Sequence, residues 1–372
     1  MGRRNAEMSA KRYDSGKLYE FVQSVLISLN VPEEDAFITA DSLIRADLEG
    51  HGSHGVSRLP VYSRRIREGR ISASPDIAAE RHGAVLTVDG GNGLGQVVAV
   101  RALQEGIPVA RELGVAAVFV RGSNHFGTAA YICQEAAKEN MASVVMTNSP
   151  PGIAPWGGRS AFLGTNPIGF GFPSGAGDQP PIVADLSSSV VARGKIMQAQ
   201  KQEQPIPEGW AIDSEGRPTT DAGEALKGAV LPLGGAKGYA LALAVEMLCG
   251  ILTGASFGPH IGNLYKEGDK NADVGHVILL FSPARWLDTE AYGDSVSRFA
   301  DEIKQVPLSP GAEEILLPGE RRFRSAGRNR LSGISLPDNV VSELEDLAVT
   351  AGVPFPPQLT QEDEGTQRGS EA

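Results

Sequence analysis

The sequence predicts an α/β (α+β) fold in which a central block of mixed helices and strands is flanked by a helical domain built from both chain ends. Three observations predict it. Residues Gly16–Glu68 carry a helical pattern, with Pro32 opening a helix whose apolar residues Ala36, Phe37, Ala40, Leu43, Ile44 and Leu48 recur at three and four. Short β-rich runs at Ala84–Val88, Val115–Val120, Ala142–Thr147, Ile168–Phe172, Ile182–Asp185 and His276–Phe281 are then interleaved with helical patterns over 96–113, 128–139, 189–200 and 237–252. After residue 285 the strands stop, and helical patterns return at Thr289–Gln305 and Asp338–Ala351. The expected organisation is a helical part at 13–75, a cofactor-binding α/β domain at 76–285, a second helical part at 286–356 and a disordered tail at 357–372, rich in Gln, Glu, Gly and Ser.

Composition excludes several function classes. The 372 residues are 41% hydrophobic, enough for one large or two moderate cores. With 34 basic against 45 acidic residues, the net charge of −11 offers no general attraction for nucleic acid or an anionic membrane. The basic runs Arg64-Arg65-Ile66-Arg67 and Arg321-Arg322-Phe323-Arg324 read as solvated faces. Cys133 and Cys249 lie in apolar helical patterns without CxxC spacing and read as buried small hydrophobes. Residues Met1–Lys17 contain no apolar signal-peptide core, and Ala6 stands where a myristoylation signal needs Ser or Thr. No apolar stretch reaches membrane-spanning length, so the expected compartment is the cytoplasm. The six histidines show neither HExxH nor Cys–His spacing, so no metal is expected, and no Gly-x-Ser-x-Gly elbow supports a hydrolase.

Several segments could carry chemistry, each with a plainer alternative. Asp89–Gly95 follows a strand and precedes a helix, as a dinucleotide-binding turn does. Its glycine spacing nevertheless fails at Gln96, and no acidic residue follows at the expected distance, which leaves a glycine-rich surface turn. Leu231–Tyr239 brings two glycines, Lys237 and Gly238 to the start of an apolar helix; it is either a phosphate site or a tight turn, and not a Walker loop. His51–Arg58 presents Ser53, His54 and Arg58 within six residues: imidazole can move a proton and guanidinium forks onto a carboxylate. If helix resumes at Gly55, His54 and Arg58 share a face; a polar turn between helices is the alternative.

Gly122–Thr128 places His125 in a loop at a strand's carboxyl end, a usual place for ligand contacts, although Ser123 or Asn124 could simply cap the next helix. Asp185 closes a strand-like run and either orients a histidine or caps a helix starting near Ser189. The turn-forming stretch from Ala154 to Gly171 needs a ligand or much internal bonding.

Taken in order, these motifs resemble the malate/L-lactate dehydrogenase family, whose members include ureidoglycolate, sulfolactate, diketogulonate and piperideine-2-carboxylate enzymes. The resemblance covers roughly residues 13–337. It is carried by Asp47–Gly50, Ser53–Pro60, Ser123–Gly127, Ala154–Gly158, Gly164–Pro167, Pro218–Asp221, Pro232–Tyr239 and Leu317–Glu320.

The resemblance implies a homodimer with a non-Rossmann, mainly antiparallel cofactor domain and NAD or NADP as hydride carrier. It implies a proton relay of Ser53, His54 and Asp185, or alternatively His125 as acid or base. It also implies a small carboxylate substrate held by Arg58 and Thr165, and cofactor contacts from Ser123, Asn124, His125, Phe126, Gly127, Val183, Ala184, Lys237 and Gly238. The function so implied is hydride transfer between NAD(P)H and a small 2-oxo or 2-hydroxy acid, or reduction of a cyclic imino acid. Two departures stand out: Ala222-Gly223 where a proline often follows the Thr-Asp pair, and Val277 where an aromatic often follows Gly-His. The second leaves the choice between NAD and NADP open.

Overall fold

The computed structural model describes residues 11–174, 179–266 and 268–360. Ala6 and the expected tail beyond Thr360 lie outside the described residues. In chain order the elements are β1 (Lys11–Tyr13), α1 (Ser15–Ser28), α2 (Glu33–Leu48), α3 (Leu59–Arg67), β2 (Ala78–His82), β3 (Val85–Asp89), α4 (Gly95–Leu113), β4 (Val115–Ser123), α5 (Ala129–Lys138), β5 (Ala142–Thr147), β6 (Pro167–Phe172), β7 (Ile182–Ser187) and α6 (Arg193–Lys201). They continue with β8 (Ala211–Ile212), β9 (Pro218–Thr219), α7 (Ala222–Lys227), β10 (Ala229–Val230), α8 (Ala236–Glu246), β11 (Val274–Phe281), α9 (Thr289–Lys304), α10 (Glu320–Ser332), β12 (Ile334–Leu336) and α11 (Asp338–Ala351). The chain divides into two compact units, one comprising Met1–Ser74 with Ala300–Ala372 and the other Pro75–Phe299. Among the described residues no helix is long and apolar enough to cross a membrane.

The first unit is a helical assembly closed by a short ladder. β1 pairs antiparallel with β12, Tyr13 opposite Ile334. Asp14 caps α1 by accepting from Lys17 N at 2.9 Å, and Leu18, Phe21, Val22, Val25 and Leu26 form its buried stripe. α10 packs on α2, and α11 on α1 and α3. Phe355 wedges edge-on against Tyr13 and Phe21, at centroid distances of 5.4 and 5.2 Å. One basic run is not the solvated face expected: Arg65 is fully buried in α3.

The second unit is built on a seven-stranded sheet of order β2-β3-β4-β11-β5-β6-β7. Every neighbouring pair is antiparallel except β3–β4, so the mainly antiparallel, non-Rossmann expectation holds. α4 and α5 cover one face, while α8 and a π-helical turn at Met247–Ile251 contact β5 and β11. β11 is nearly continuous in apolar residues because helices cover both its faces: Val277 packs with Val245 and Cys249, and Leu280 lies toward Gly106 of α4. Cys133 and Cys249 are both buried free thiols, as expected. β8, β9 and β10 form a separate three-stranded sheet.

This topology gathers loops at one end of the large sheet. The carboxyl ends of β3, β4, β5 and β7 and the amino ends of β6 and β11 lie together, because Asp89 pairs with Arg121, Ser123 with Val274, His276 with Thr147 and Pro167 with Ser187. The turn Gly90–Gly95, the loop Asn124–Gly127, residues Asn148–Asn166 and the segment after Ser187 all emerge there.

Candidate active site

Candidate residues occur in both units, and each set has its own geometry. In the first, α2 ends at Leu48 and the chain turns through two 3₁₀ segments, Gly52–His54 and Val56–Arg58, before α3. The α-helix therefore resumes at Leu59 rather than Gly55, and the relation of His54 to Arg58 is set by tight turns instead of an i,i+4 face. Ser53 Oγ lies 2.9 Å from His54 Nδ1, and Arg58 Nε donates to Ser53 O at 2.5 Å. Ser57 Oγ donates to Gly52 O at 2.6 Å.

A residue named from sequence only as part of the Asp47–Gly50 stretch, with no role, holds this segment. Asp47, buried at the end of α2, accepts from Val56 N at 2.7 Å. Its carboxyl fills the space where a Cβ on Gly55 would stand, about 2 Å away, so glycine is required there. Burial pushes the Asp47 carboxyl up to about 7. From α10, Asn329 donates to Leu48 O at 2.8 Å and Arg322 pairs with Glu49 at 3.4 Å. The second basic run is thus partly structural. Burial, then Arg58, His51 and Arg322, lower His54 to about 3; burial, then Arg322 and Arg321, lower His51 to about 4. Both imidazoles are uncharged at neutral pH within a cationic surround.

In the second unit β4 runs to Ser123, three residues beyond its predicted end, and the loop that follows turns most of its side chains inward. Ser123, Asn124 and Phe126 are buried, and His125 alone of Ser123–Gly127 has a partly exposed side chain. Asn124 Nδ2 donates to Gly93 O at 2.8 Å and to Asn92 O at 3.2 Å. A Cβ on Gly95 would stand 2.2 Å from Asn124 O. The glycine-rich turn Gly90–Gly95 is therefore shaped by close packing against this loop. The cap of α5 is neither Ser123 nor Asn124 but Thr128, whose Oγ1 accepts from Tyr131 N at 3.3 Å.

Asp185 sits inside β7, opposite Gly169, and accepts from Ala130 N at 3.1 Å. The helix it caps is α5, 55 residues earlier; α6 starts only at Arg193. Val183 and Ala184 precede it on the same strand. Thr165 adjoins the start of β6, where Ser188 N contacts both Thr165 O (3.4 Å) and Asn166 O (3.3 Å). Ser188 O accepts from Leu233 N at 2.9 Å, which ties in the turn Pro232–Gly235 ahead of α8. Gly234 and Gly235 take φ of 61° and 71°, and Lys237 is exposed in the first turn of α8. The structure thus brings Ser123–Gly127, Thr165 and, through the turn ahead of α8, Lys237–Gly238 to one end of one sheet, whereas Asp185 lies in mid-strand and Val183, opposite Gly171, lies toward the other end of β7.

From sequence His276 stands out as one of six histidines without metal-ligand spacing and as the histidine of the Gly-His pair before Val277, with no role given to its side chain. Fully buried on β11, it contacts Ser123 Oγ through Nε2 at 2.7 Å and Thr147 Oγ1 through Nδ1 at 2.8 Å, and stacks on Phe126 at 4.7 Å. Thr147 Oγ1 lies 3.0 Å from the carbonyls of Gly275 and Asn148, which only accept, so its proton goes to one of them. His276 Nδ1–H then donates to Thr147, and Nε2 accepts from Ser123.

Burial lowers His276 to about 3. A histidine with a folded pKa below its unfolded value near 6.5 contributes stability that is full above about pH 6.5 and lost as pH falls toward the folded value. Asp47, raised to about 7, acts oppositely: its contribution is present below about pH 4 and lost as pH rises through 7. Replacing His276 by Gln is expected to flatten the acid-side fall of unfolding free energy by about 1.4 kcal/mol per pH unit between about pH 6 and 4. Urea unfolding at a series of pH values measures it; an unchanged slope would show that His276 is not held neutral.

The sequence and the fold resemble those of proteins of known activity. The family model for malate/L-lactate dehydrogenase matches residues 13–345. The chain is 41% identical over 327 residues to a (2R)-3-sulfolactate dehydrogenase (NADP(+)) of Chromohalobacter salexigens, covering 88% of this chain and 95% of that one. It is similar to the solved sulfolactate dehydrogenase of Methanocaldococcus jannaschii, with a TM-score of 0.86, 36% identity, and coverage of 92% of this chain and 98% of that one. It is similar also to the Δ1-piperideine-2-carboxylate reductase of Pseudomonas syringae pvar. tomato, with a TM-score of 0.79, 29% identity, and coverage of 91% and 100%. This chain, with its mainly antiparallel sheet and its Ser53–His54–Arg58 segment, belongs to the malate/L-lactate dehydrogenase family.

Proposed function

We propose that the chain is an oxidoreductase that transfers hydride between NAD or NADP and a small 2-oxo or 2-hydroxy acid. The observation that carries this reading is the Ser53–Arg58 segment of a family member: an uncharged imidazole held by a hydroxyl, one turn from a guanidinium whose Nε is fixed on Ser53 O. The residues at the sheet end fit a nucleotide bearing phosphates. Gly234–Gly235 leave backbone uncovered ahead of an eleven-residue helix, and Lys237 adds a cation. The nicotinamide supplies or accepts the hydride. Ser123, Asn124 and Phe126 would meet the cofactor through backbone, with His125 and Lys237 as the side chains that reach it, Val183, Ala184 and Gly238 lining the approach, and the Gly90–Gly95 turn taking no part.

Arg58 and Thr165 hold the substrate carboxylate. His54 gives or takes the proton of the reacting oxygen, with Ser53 fixing its ring and Asp185 as the third member of the relay. His125 is the alternative acid or base. The enzyme acts in the cytoplasm as a homodimer, consistent with its free buried thiols and with the exposed apolar residues Leu243, Met247, Ile251 and Leu252 along α8 and the turn that follows. Sedimentation equilibrium should give twice the 39.1 kDa chain mass.

The test is purified protein with NADH or NADPH against pyruvate, oxaloacetate, sulfopyruvate, diketogulonate and piperideine-2-carboxylate, following loss of reduced-nicotinamide absorbance. Turnover with a 2-oxo acid is expected. Turnover only with piperideine-2-carboxylate would favour the second reading, supported by the likeness to a reductase of that compound. No turnover with any pair would sink both.

A further inference from the structure

A buried polar network lies under the loops at the sheet end, and the proposed chemistry does not use it. Glu246 is the last residue of α8, 4% exposed, in a helix otherwise dominated by Ala, Leu and Val. Its Oε2 accepts from Asn166 Nδ2 at 2.7 Å; its Oε1 accepts from Gly258 N at 2.8 Å and lies 3.5 Å from Asn148 Nδ2. Asn166 Oδ1 in turn accepts from Ser149 N at 3.1 Å, and Asn166 Nδ2 also donates to Ala242 O at 3.1 Å. Asn148 donates to Ser256 O at 2.8 Å and accepts from Gly275 N at 3.0 Å. Three loops, around Asn148–Ser149, Thr165–Asn166 and Ser256–Gly258, hang on this one carboxyl group.

The chemistry of the donor set selects glutamate. Only N–H groups converge on the two oxygens, so the group must accept at both, and an amide would turn its own NH₂ against one of the donors. A carboxyl group in an apolar helix is costly to bury unless it is fully bonded, so packing alone would be served better by Leu or Met. The π-helical turn starts at the next residue, Met247, a local irregularity often found at functional sites.

We infer that Glu246 is a positioning residue for substrate binding, fixing Thr165 through Asn166. The inference rests on the proposed role of Thr165 as a carboxylate ligand. Hydrogen bonds to a carboxylate are among the stronger ones, so Glu246→Gln is expected to raise KM for the acid about tenfold, with kcat and the cofactor KM each changing by less than about twofold. Asn166→Ser removes the same bond from the other side and should give the same split. In a Thr165→Val background, Glu246→Gln should add less than about twofold, because coupled residues are not additive.

Unchanged KM values with a lower Tm would reduce Glu246 to a purely structural role, and a full tenfold effect without Thr165 would break the path through it. Hydrogen exchange provides a readout independent of turnover: amides at 149–153 and 163–166 should exchange faster in Glu246→Gln while those of α4 stay unchanged. Exchange unaltered in both variants overturns the inference. The expected exchange change in a chain that turns over no acid would instead count against the functional reading.

Discussion

Replacing His54 by glutamine is expected to lower kcat by about 10²–10⁴-fold, the range a positioned general acid or base contributes, with KM for the acid changing by less than about threefold. Glutamine keeps much of the imidazole's size and polarity but cannot exchange a proton near neutral pH. The effect should be large because the ring is already set for proton transfer. Ser53 Oγ lies 2.9 Å from Nδ1, and Asp47 pins the turn through Val56. Burial and then the charge of Arg58 hold His54 at about 3, so in the free protein it is a neutral base, ready to take the hydroxyl proton of a 2-hydroxy acid. In the reducing direction it must first be protonated. His125→Gln is the control, and steady-state kinetics on both variants decide the matter. A mild loss in His54→Gln beside a severe one in His125→Gln would move proton transfer to His125.

Much of the fold was legible because hydrophobic period and burial agree. β5 occurs where the apolar run at Ala142–Thr147 places it, and β11 reads as continuous because both its faces are covered. What the sequence hid has physical causes. β2 is exposed along its whole length and carries no alternating apolar signal; β1, β8, β9, β10 and β12 span two or three residues each. α10 escaped because it is mostly polar, its run of arginines engaged with Glu49 and Glu314 rather than with water alone.

The candidate residues were legible as motifs, but the bonds that hold them were not. Asp47, Asn148, Asn166, Glu246 and His276 act through bonds to partners 9 to 153 residues away, such as Val56 for Asp47 and Ser123 for His276. The available signal was a lone polar residue within an apolar run, as with Glu246 between Val245 and Met247, which marks a buried group needing a partner without naming it. Of the two local readings of Asp185, the cap looked to the helix that follows, whereas strand pairing aims the carboxylate at α5.

Arg58→Ala should raise KM for the acid by about 10²-fold or more, as removal of one partner of a charge-assisted pair does, and it should also change how binding depends on pH. Arg58 is the foremost charged group lowering His54, second only to burial. A bound carboxylate offsets that positive field and brings a negative charge beside the ring, so the pKa of His54 rises from about 3 on binding. The complex then holds more protons than the free protein, and by linkage affinity tightens as pH falls. Calorimetric titration with an unreactive carboxylate such as oxamate, in buffers of different ionisation enthalpy, should show proton uptake in the native chain and less in Arg58→Ala. Arg58→Lys separates charge from geometry: it should retain the uptake while losing affinity, because an ammonium cannot fork onto two carboxylate oxygens. Affinity independent of pH, with no uptake, would mean that His54 does not sense the carboxylate, and the pairing of anchor and proton carrier on one turn would lose its physical basis.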